Sequence, residues 1–186
     1  MRTLTEQAQA FAQFQDYLVN GALELFRGYG LPVEHSLGAS AVNVQGPAVM
    51  AVIGYAAPTV RGALLLLTSR AVVAELQPAE IRTGPPTETM LRSILGEFCN
   101  MLIGRIKNQL VAHELLPLVS TPTTIFGDDL QLPVPTSGMS AWHRFASPAG
   151  DIFVRLDATF EAEFALGAAR QGTGVAREGE MVFFGE

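Results

Sequence analysis

The segment from Leu91 to Gly104 places three polar residues on one side of a predicted helix whose other side is apolar. At about 100° per residue, Ser93, Glu97 and Asn100 fall within an arc of roughly 60°. The opposite side carries Leu91, Ile94, Leu95, Phe98, Leu102 and Ile106. Such a helix must pack on another layer through its apolar side, and it then presents a carboxylate and an amide to solvent. This arrangement predicts a functional site with a defined orientation.

Two glycines interrupt the same helical pattern without ending it. Gly96 and Gly104 each cost a helix interior up to about 1 kcal/mol relative to alanine. Gly104 follows Asn100 by one turn on the same side, where a missing side chain would let the backbone of another molecule approach. We call Ser93, Glu97, Asn100 and Gly104 the polar stripe. The alternative, that the glycines serve packing against a neighbouring strand, stays open at this point.

Composition limits the class of protein. The 186 residues are 48% hydrophobic, which suits one domain with a substantial core. The formal net charge is -6 and no basic run occurs, so nucleic acid and anionic membranes are poor candidates as partners. No signal peptide is visible and no apolar run approaches the roughly 20 residues that span a bilayer. We therefore expect a cytoplasmic protein that interacts with neither nucleic acid nor membrane.

The first half of the chain alternates predicted helices and strands. An amphipathic helix is expected over 4–27, because apolar residues recur at helical spacing and glycines follow. Two strand-like runs follow at about 34–45 and 48–56, with Gly46 and Pro47 as the turn between them. A buried strand is then predicted over 61–67, and a short helix over 69–77 with Ser69 as its cap.

The second half begins with the long helix, expected from a cap at Thr87 to about His113. A proline-rich connection over 115–138 leads to a predicted hairpin with strands around 139–147 and 152–164. The tail is rich in glycine and small residues. We therefore predict one domain over 1–166 and a C-terminal extension over 167–186 that packs back on the domain or stays loosely ordered.

Other residues with reactive or metal-binding side chains give weaker evidence of a site. The chain has neither a phosphate-binding loop nor a dinucleotide fingerprint. His35, His113 and His143 are far apart in sequence, so isolated surface or capping histidines are the expected reading. Cys99, the single cysteine, is expected to be a buried and inert thiol. None of these competes with the polar stripe.

The residues of the long helix resemble a known signature. Ser93, Glu97 and Asn100, followed downstream by Pro122, match the motif of the chemotaxis phosphatases CheC, CheX and FliY, which starts with Asp or Ser and ends in Pro. The run Gly96–Gly104 is similar to the Gly-Glu-x-x-Asn-Met-x-x-Gly core of CheX, and Pro122–Gly127 is similar to its Pro-Thr-x-x-x-Gly continuation. Arg105 departs from the pattern, because a smaller or neutral residue is common there.

The resemblance implies a fold, an activity and a partner. The fold is α+β, a CheX-like α/β sandwich with an antiparallel-rich sheet and long helices packed on one face. The activity is hydrolysis of the aspartyl phosphate of a CheY-like response regulator, with Glu97 and Asn100 as catalytic residues and Ser93 and Gly104 as partner-binding residues. No cofactor is expected in this chain, because the partner's receiver domain would hold the divalent metal. The first helix lacks Glu-x-x-Asn, so one site per chain is expected.

Two alternatives remain open at this stage. A CheX-like adaptor would bind a response regulator or another signalling partner without hydrolysis, and a scaffold domain would leave the polar stripe merely solvated. Relatives of CheX pair as dimers through their sheets, so a homodimer is also expected. The cognate regulator, and whether the pathway is chemotaxis or another two-component circuit, do not follow from the sequence.

Overall fold

The computed structural model describes residues 4–38, 42, 44–77, 84–130 and 138–169. These residues form three α-helices and seven β-strands. In chain order they are α1 (Leu4–Gly28), β1 (Glu34–Leu37), β2 (Pro47–Ala57), β3 (Val60–Ser69), α2 (Arg70–Glu75), α3 (Glu88–Val111), β4 (Leu118–Val119), β5 (Thr123–Asp128), β6 (Met139–Ser147) and β7 (Gly150–Phe160). Most of the predicted extension lies outside the described residues, which end at position 169.

The described strands form a single antiparallel sheet. Their order is β1-β6-β7-β3-β2, and both β4 and β5 pair along the free edge of β2. The central pair β2–β3 joins through a tight turn, and β6 and β7 form the predicted hairpin with Gly150 at a φ of 133° in its turn. Such a positive φ favours glycine because a side chain would clash with the backbone.

The main core lies between this sheet and the three helices. Along β2 and β3 alternate residues, such as Val49 and Ile53 on β2 and Leu66 on β3, face the helices and are fully buried. The residues between them, such as Met50 and Leu67, join a smaller cluster on the opposite face. Burial on both faces explains the uninterrupted leucine run of β3, because a strand covered on both sides has no polar face. The predicted α+β class, with an antiparallel sheet and long helices on one face, is confirmed.

The first predicted strand is wrong in extent, and its positions 39–41 and 43 lie outside the described residues. The sequence predicts strands over 34–45 and 48–56 joined by a turn, but β1 ends at Leu37 and pairs with β6 at the far edge of the sheet. Gly46 does have a positive φ of 73°, directly before β2 begins at Pro47. The alternation of apolar residues in the run therefore does not reflect pairing with the next strand.

The proline-rich connection also contains structure that the sequence does not reveal. Within it, β4 and β5 add to the edge of β2, and the short break between them holds Ser120 and Pro122. Ser120 bridges this break, because its backbone N–H donates to the Gly54 carbonyl and its hydroxyl accepts from the Gly54 N–H, both at 2.9 Å. Pro122 has no N–H to pair, so a break at a sheet edge suits it.

Candidate functional site

Helix α3 starts and packs as its sequence predicts. Thr87 is the N-cap, and its hydroxyl accepts a hydrogen bond from the backbone N–H of Met90 at 3.3 Å. The helix spans Glu88–Val111, which is about 36 Å at 1.5 Å per residue. Its apolar side is buried in the main core, including Leu95, Phe98 and Leu102, each no more than 2% exposed. This burial sets the rotation of the helix and hence the direction of its polar side.

The polar stripe faces solvent. Ser93, Glu97 and Asn100 are all exposed, and Gly104 is partly exposed at the same side of the helix. Within the part of the chain that the structure describes, none of the three side chains is engaged in a hydrogen bond or an ion pair. An exposed carboxylate and an exposed amide one turn apart are therefore available to an external molecule.

The two glycines of α3 have different surroundings. A Cβ atom at Gly96 would lie 3.6 Å from the methyl carbon of Thr124 and 3.8 Å from Cγ of Pro122, so the helix backbone rests on β5 and the break before it. A Cβ atom at Gly104 would meet nothing within 4 Å. The packing alternative therefore holds for Gly96, whereas the space over Gly104 is open. Pro122, although distant in sequence, therefore lies close to Gly96, the residue before Glu97.

Cys99 has the buried environment that the sequence predicts. Its side chain is fully buried, and the Sγ atom lies 3.9 Å from the Leu64 carbonyl oxygen of β3. Burial raises the pKa of the thiol to about 12, which leaves essentially no thiolate at neutral pH. Cys99 thus helps to fix the rotation of α3 and has no nucleophilic character.

Aromatic side chains flank the polar stripe on both sides. Next to the α1 end, the Tyr29 ring packs on Phe98 with ring centroids 4.5 Å apart, and its hydroxyl donates to Met101 Sδ at 3.5 Å. On the β5 side, Phe126 lies against the guanidinium group of Arg92, which is 4.9 Å from the ring centroid. The sequence gives no signal for Tyr29 or Phe126, because each reaches α3 from another element.

Arg105, the departure from the family pattern, points away from the polar stripe. Its guanidinium group forms an ion pair with Glu24 of α1 at 3.3 Å. A Cβ atom at Gly21 would lie 3.4 Å from the Arg105 Cβ and 3.5 Å from Cδ1 of Leu102, so the two helices approach closely at this glycine. Arg105 therefore joins α1 to α3.

The expectation of isolated surface or capping histidines is wrong, and two of the three histidines contact each other. His35 Nε2 and His143 Nδ1 lie 3.0 Å apart, because β1 pairs with β6 and brings the two rings into contact. His143 is 2% exposed, and burial lowers its pKa to about 4, with His35 acting in the same direction and Asp16 against it. Burial also lowers the pKa of His35. Both rings are therefore neutral near pH 7.

His113 is also buried rather than a surface or capping residue. Its Nδ1–H donates to the Gly167 carbonyl oxygen at 2.6 Å, so its Nε2 accepts from the Tyr17 hydroxyl, also at 2.6 Å. Tyr17 accepts in turn from the side-chain amide of Gln13 at 2.6 Å. On α1, then, the side chains of Gln13 and Tyr17 are engaged within the protein, unlike those of the polar stripe.

Neither a cluster suited to metal binding nor a helix suited to crossing a membrane occurs among the described residues. No group of three or more His, Cys, Asp or Glu side chains there is arranged to hold a metal ion. None of the helices in the same part of the chain is long and apolar enough to cross a membrane.

Comparisons with known proteins agree with this architecture. Among solved structures, the fold is similar to the chemotaxis protein CheX from Vibrio vulnificus, with a TM-score of 0.67 and 17% identity over 78% of this chain and 96% of that chain. It is also similar to a CheC-like superfamily protein from Shewanella sp. PV-4, with a TM-score of 0.66 and 19% identity over 78% of this chain and 97% of that chain.

A third similar structure is a complex. It is the CheX-CheY-BeF3-Mg2+ complex from Borrelia burgdorferi, with a TM-score of 0.62 and 19% identity over 78% of this chain and 97% of that chain. At these identities the structures show a common fold. No curated protein sequence matches the chain.

The family comparison covers the elements that carry the polar stripe. A family model described as chemotaxis phosphatase CheX matches residues 49–146, which is more than half of the 186 residues. The matched range contains α3 with its polar stripe, together with Pro122 on the edge of the sheet. On this match, the chain belongs to the family of the chemotaxis phosphatase CheX.

Proposed function

We propose that this protein accelerates hydrolysis of the aspartyl phosphate on a CheY-like receiver domain, by inserting the polar stripe of α3 into the receiver's phosphorylation site. The observation that carries the proposal is the availability of Glu97 and Asn100. Both side chains are exposed on a helix whose back is buried, and neither is engaged elsewhere in the described part of the chain. The family match and the Borrelia CheX-CheY complex support the choice of partner.

Asn100 has the role of orienting water. Water attacks the phosphorus atom, the bond from phosphorus to the acyl oxygen breaks, the aspartate carboxylate leaves, and the displaced proton ends on inorganic phosphate. A receiver domain itself supplies the phosphoryl group, a divalent metal and a lysine, so positioning of the water is the missing contribution. An amide both accepts and donates a hydrogen bond, so Asn100 holds the water in line without acting as a base.

Glu97 and Ser93 have docking roles. Glu97, one turn before Asn100, pairs with the receiver's lysine and fixes the register of the helix in the site. That ion pair gains strength as the interface excludes water. Ser93 lies a further turn away and hydrogen-bonds at the rim, where a contact contributes least. Gly104 leaves room for the receiver backbone.

The test separates chemistry from docking. Asn100→Ala is expected to lower the hydrolysis rate at saturating protein by at least about 100-fold, because a misplaced reacting group costs that much. Binding to a receiver loaded with BeF3 and Mg2+ should persist in this variant. Glu97→Gln should weaken binding and hydrolysis together, since it removes the charge that pairs with lysine.

Asn108→Ala provides a matched control. Asn108 is an exposed asparagine on the same side of α3, but it lies about 12 Å beyond Asn100 along the helix axis, too far away to hold the same water. This variant should hydrolyse the phosphorylated receiver as fast as the wild type. Equal rates for Asn100→Ala and Asn108→Ala would exclude Asn100 from the chemistry. Binding that depends on phosphorylation, with no release of phosphate above the receiver's own decay, would favour the adaptor function instead.

Two further expectations remain predictions. A homodimer is consistent with the sheet edges, because β1 and the β4–β5 edge leave backbone groups available for pairing. Light scattering at several protein concentrations would measure the oligomeric state, and a monomer mass throughout would contradict the prediction. A receiver-domain substrate would act in the cytoplasm, which fits the expected location.

A further inference from the structure

We propose that Arg70 and Arg92, both stacked on Phe126, form a second docking contact that binds a carboxylate on the rim of the receiver's phosphorylation site. This inference rests on the proposed function, because it takes the receiver as the partner. We call these three residues the arginine clamp. It lies beside the polar stripe and comprises none of its residues.

The arginine clamp is assembled from three elements. Phe126 lies on β5, Arg70 is the first residue of α2, and Arg92 is on α3. Each guanidinium carbon lies 4.9 Å from the centroid of the same ring, so twice that distance is the most that can separate the two groups. Both arginines are exposed, whereas the ring that they share is half-buried. A planar guanidinium held on an aromatic face keeps its N–H edge free for an oxygen ligand.

The charge around the clamp is not balanced within the described residues. Glu88 accepts from Arg92 at 2.8 Å, and the pair is about half exposed. Arg70 has the ring of Phe126 as its contact and no acidic partner in that part of the chain. Of the two neighbouring arginines, Arg92 therefore shares its charge with Glu88, whereas Arg70 keeps a guanidinium group without an ion pair among the described residues. Arginine pairs of this kind suit a carboxylate, which a guanidinium can bind through two parallel hydrogen bonds.

The clamp lies within the area that a docked receiver would cover. A standard interface buries about 800 Å² per partner, which corresponds to a disc of roughly 16 Å radius. Arg92 directly precedes Ser93 and is about 12 Å from Asn100 along the helix axis. A receiver centred on Asn100 therefore reaches the clamp. The same separation keeps the clamp away from the reacting phosphoryl group, so its ligand must be a different anion.

The chemistry of the partner identifies that anion as a carboxylate. A site that binds a divalent metal next to an aspartate is built from carboxylates, so its surroundings are acidic. Glu97 on α3 would meet the receiver's lysine, and the clamp would meet the acidic rim. Opposite charges at two separate points fix the orientation of the receiver and increase the rate of encounter.

The experiment measures binding to a receiver loaded with BeF3 and Mg2+, over a range of salt concentrations. The Arg70→Gln/Arg92→Gln double variant should weaken binding by about tenfold at low salt, mainly through slower association. Its salt dependence should be shallower than that of the wild type. Hydrolysis at saturating protein should be unchanged, because the clamp does not reach the phosphoryl group.

Two further variants give controls. Arg61→Gln removes one positive charge, as each of the two substitutions in the double variant does. Arg61 is exposed and lies about 30 Å from Arg70 along β3. It should bind like the wild type. Glu88→Gln releases Arg92 from its ion pair and should bind more tightly. Thermal melts of every variant establish that the fold is retained.

Each outcome decides the proposal. If the double variant binds within twofold of Arg61→Gln, the clamp is not a docking contact, while normal hydrolysis would leave the proposed function standing. If the wild type binds loaded receivers without accelerating hydrolysis and the double variant still binds more weakly, the clamp stands and the phosphatase does not. If no loaded receiver binds the wild type, both proposals fail.

Discussion

Replacing Gly104 with alanine should stabilise the protein and weaken its docking. Gly104 lies in the interior of α3, where glycine costs about 0.8–1 kcal/mol relative to alanine. The added Cβ meets nothing within 4 Å, so no strain offsets that gain. For a chain of this size, 1 kcal/mol raises the melting temperature by roughly 2–4 °C. In the complex, the same methyl group would occupy the space that we assign to the receiver backbone.

The size of the docking loss follows from the cost of overpacking. An extra methyl group in a well-packed contact costs typically about 1–3 kcal/mol, which corresponds to roughly 5-fold to 150-fold weaker binding. Gly96→Ala is the matched control, because its Cβ would point inward, at ordinary contact distance from Thr124 and Pro122. It should gain similar stability and bind the receiver normally.

The assays are thermal melting and the affinity for a receiver loaded with BeF3 and Mg2+. The result that supports the reasoning is a higher melting temperature for both variants with weaker binding for Gly104→Ala alone. Undiminished binding by Gly104→Ala would refute the close approach of a partner at this position. A lower melting temperature for that variant would refute the view that the open helix surface accommodates a side chain.

Three further predictions concern stability and reactivity. Folding lowers the pKa of His143 from 6.5 to about 4, so between these pH values the unfolded chain binds more protons than the folded protein. The free energy of unfolding should therefore fall as the pH drops from 6.5 to 4, by up to about 3 kcal/mol in total. Urea unfolding at several pH values tests this, and an identical pH dependence in His143→Gln would contradict it. Cys99 should resist alkylation at pH 8 in the native state and react at once in denaturant, and fast native labelling would exclude the buried thiol. Gly62→Ala should destabilise the protein by more than about 3 kcal/mol, because its Cβ would overlap the carbonyl oxygen of Asp157, and an unchanged urea midpoint would disprove this packing.

The parts of the fold that follow from the sequence are those governed by local rules. The rotation of α3, its Thr87 cap and the β6–β7 hairpin depend on periodicity and turn residues within one segment. The partner of β1 does not follow, because β1 is four residues long and pairs with residues more than a hundred positions away. The strands β4 and β5 cannot be predicted for a related reason, since Pro122 makes the segment of an edge strand look like a loop in the sequence.

The candidate site divides in the same way. The polar stripe can be predicted because all of its members lie on one helix at helical spacing, although its role in catalysis stays a prediction. Its surroundings cannot, because Tyr29 lies in the turn after α1, Arg70 on α2 and Phe126 on β5. The hydrogen bond between His35 and His143 cannot be predicted either, because it forms only when β1 pairs with β6.

The seating of α3 has a consequence for how the proposed enzyme would choose its substrates. Its backbone rests on β5 at Gly96, its thiol side is buried against β3, and Arg105 ties it to α1. A helix held at three points keeps its conformation when it docks. Any conformational change that opens the binding site must then occur in the receiver. Among receivers with the same active-site residues, the hydrolysis rate should therefore be highest for those whose phosphorylation site opens most easily to a rigid helix.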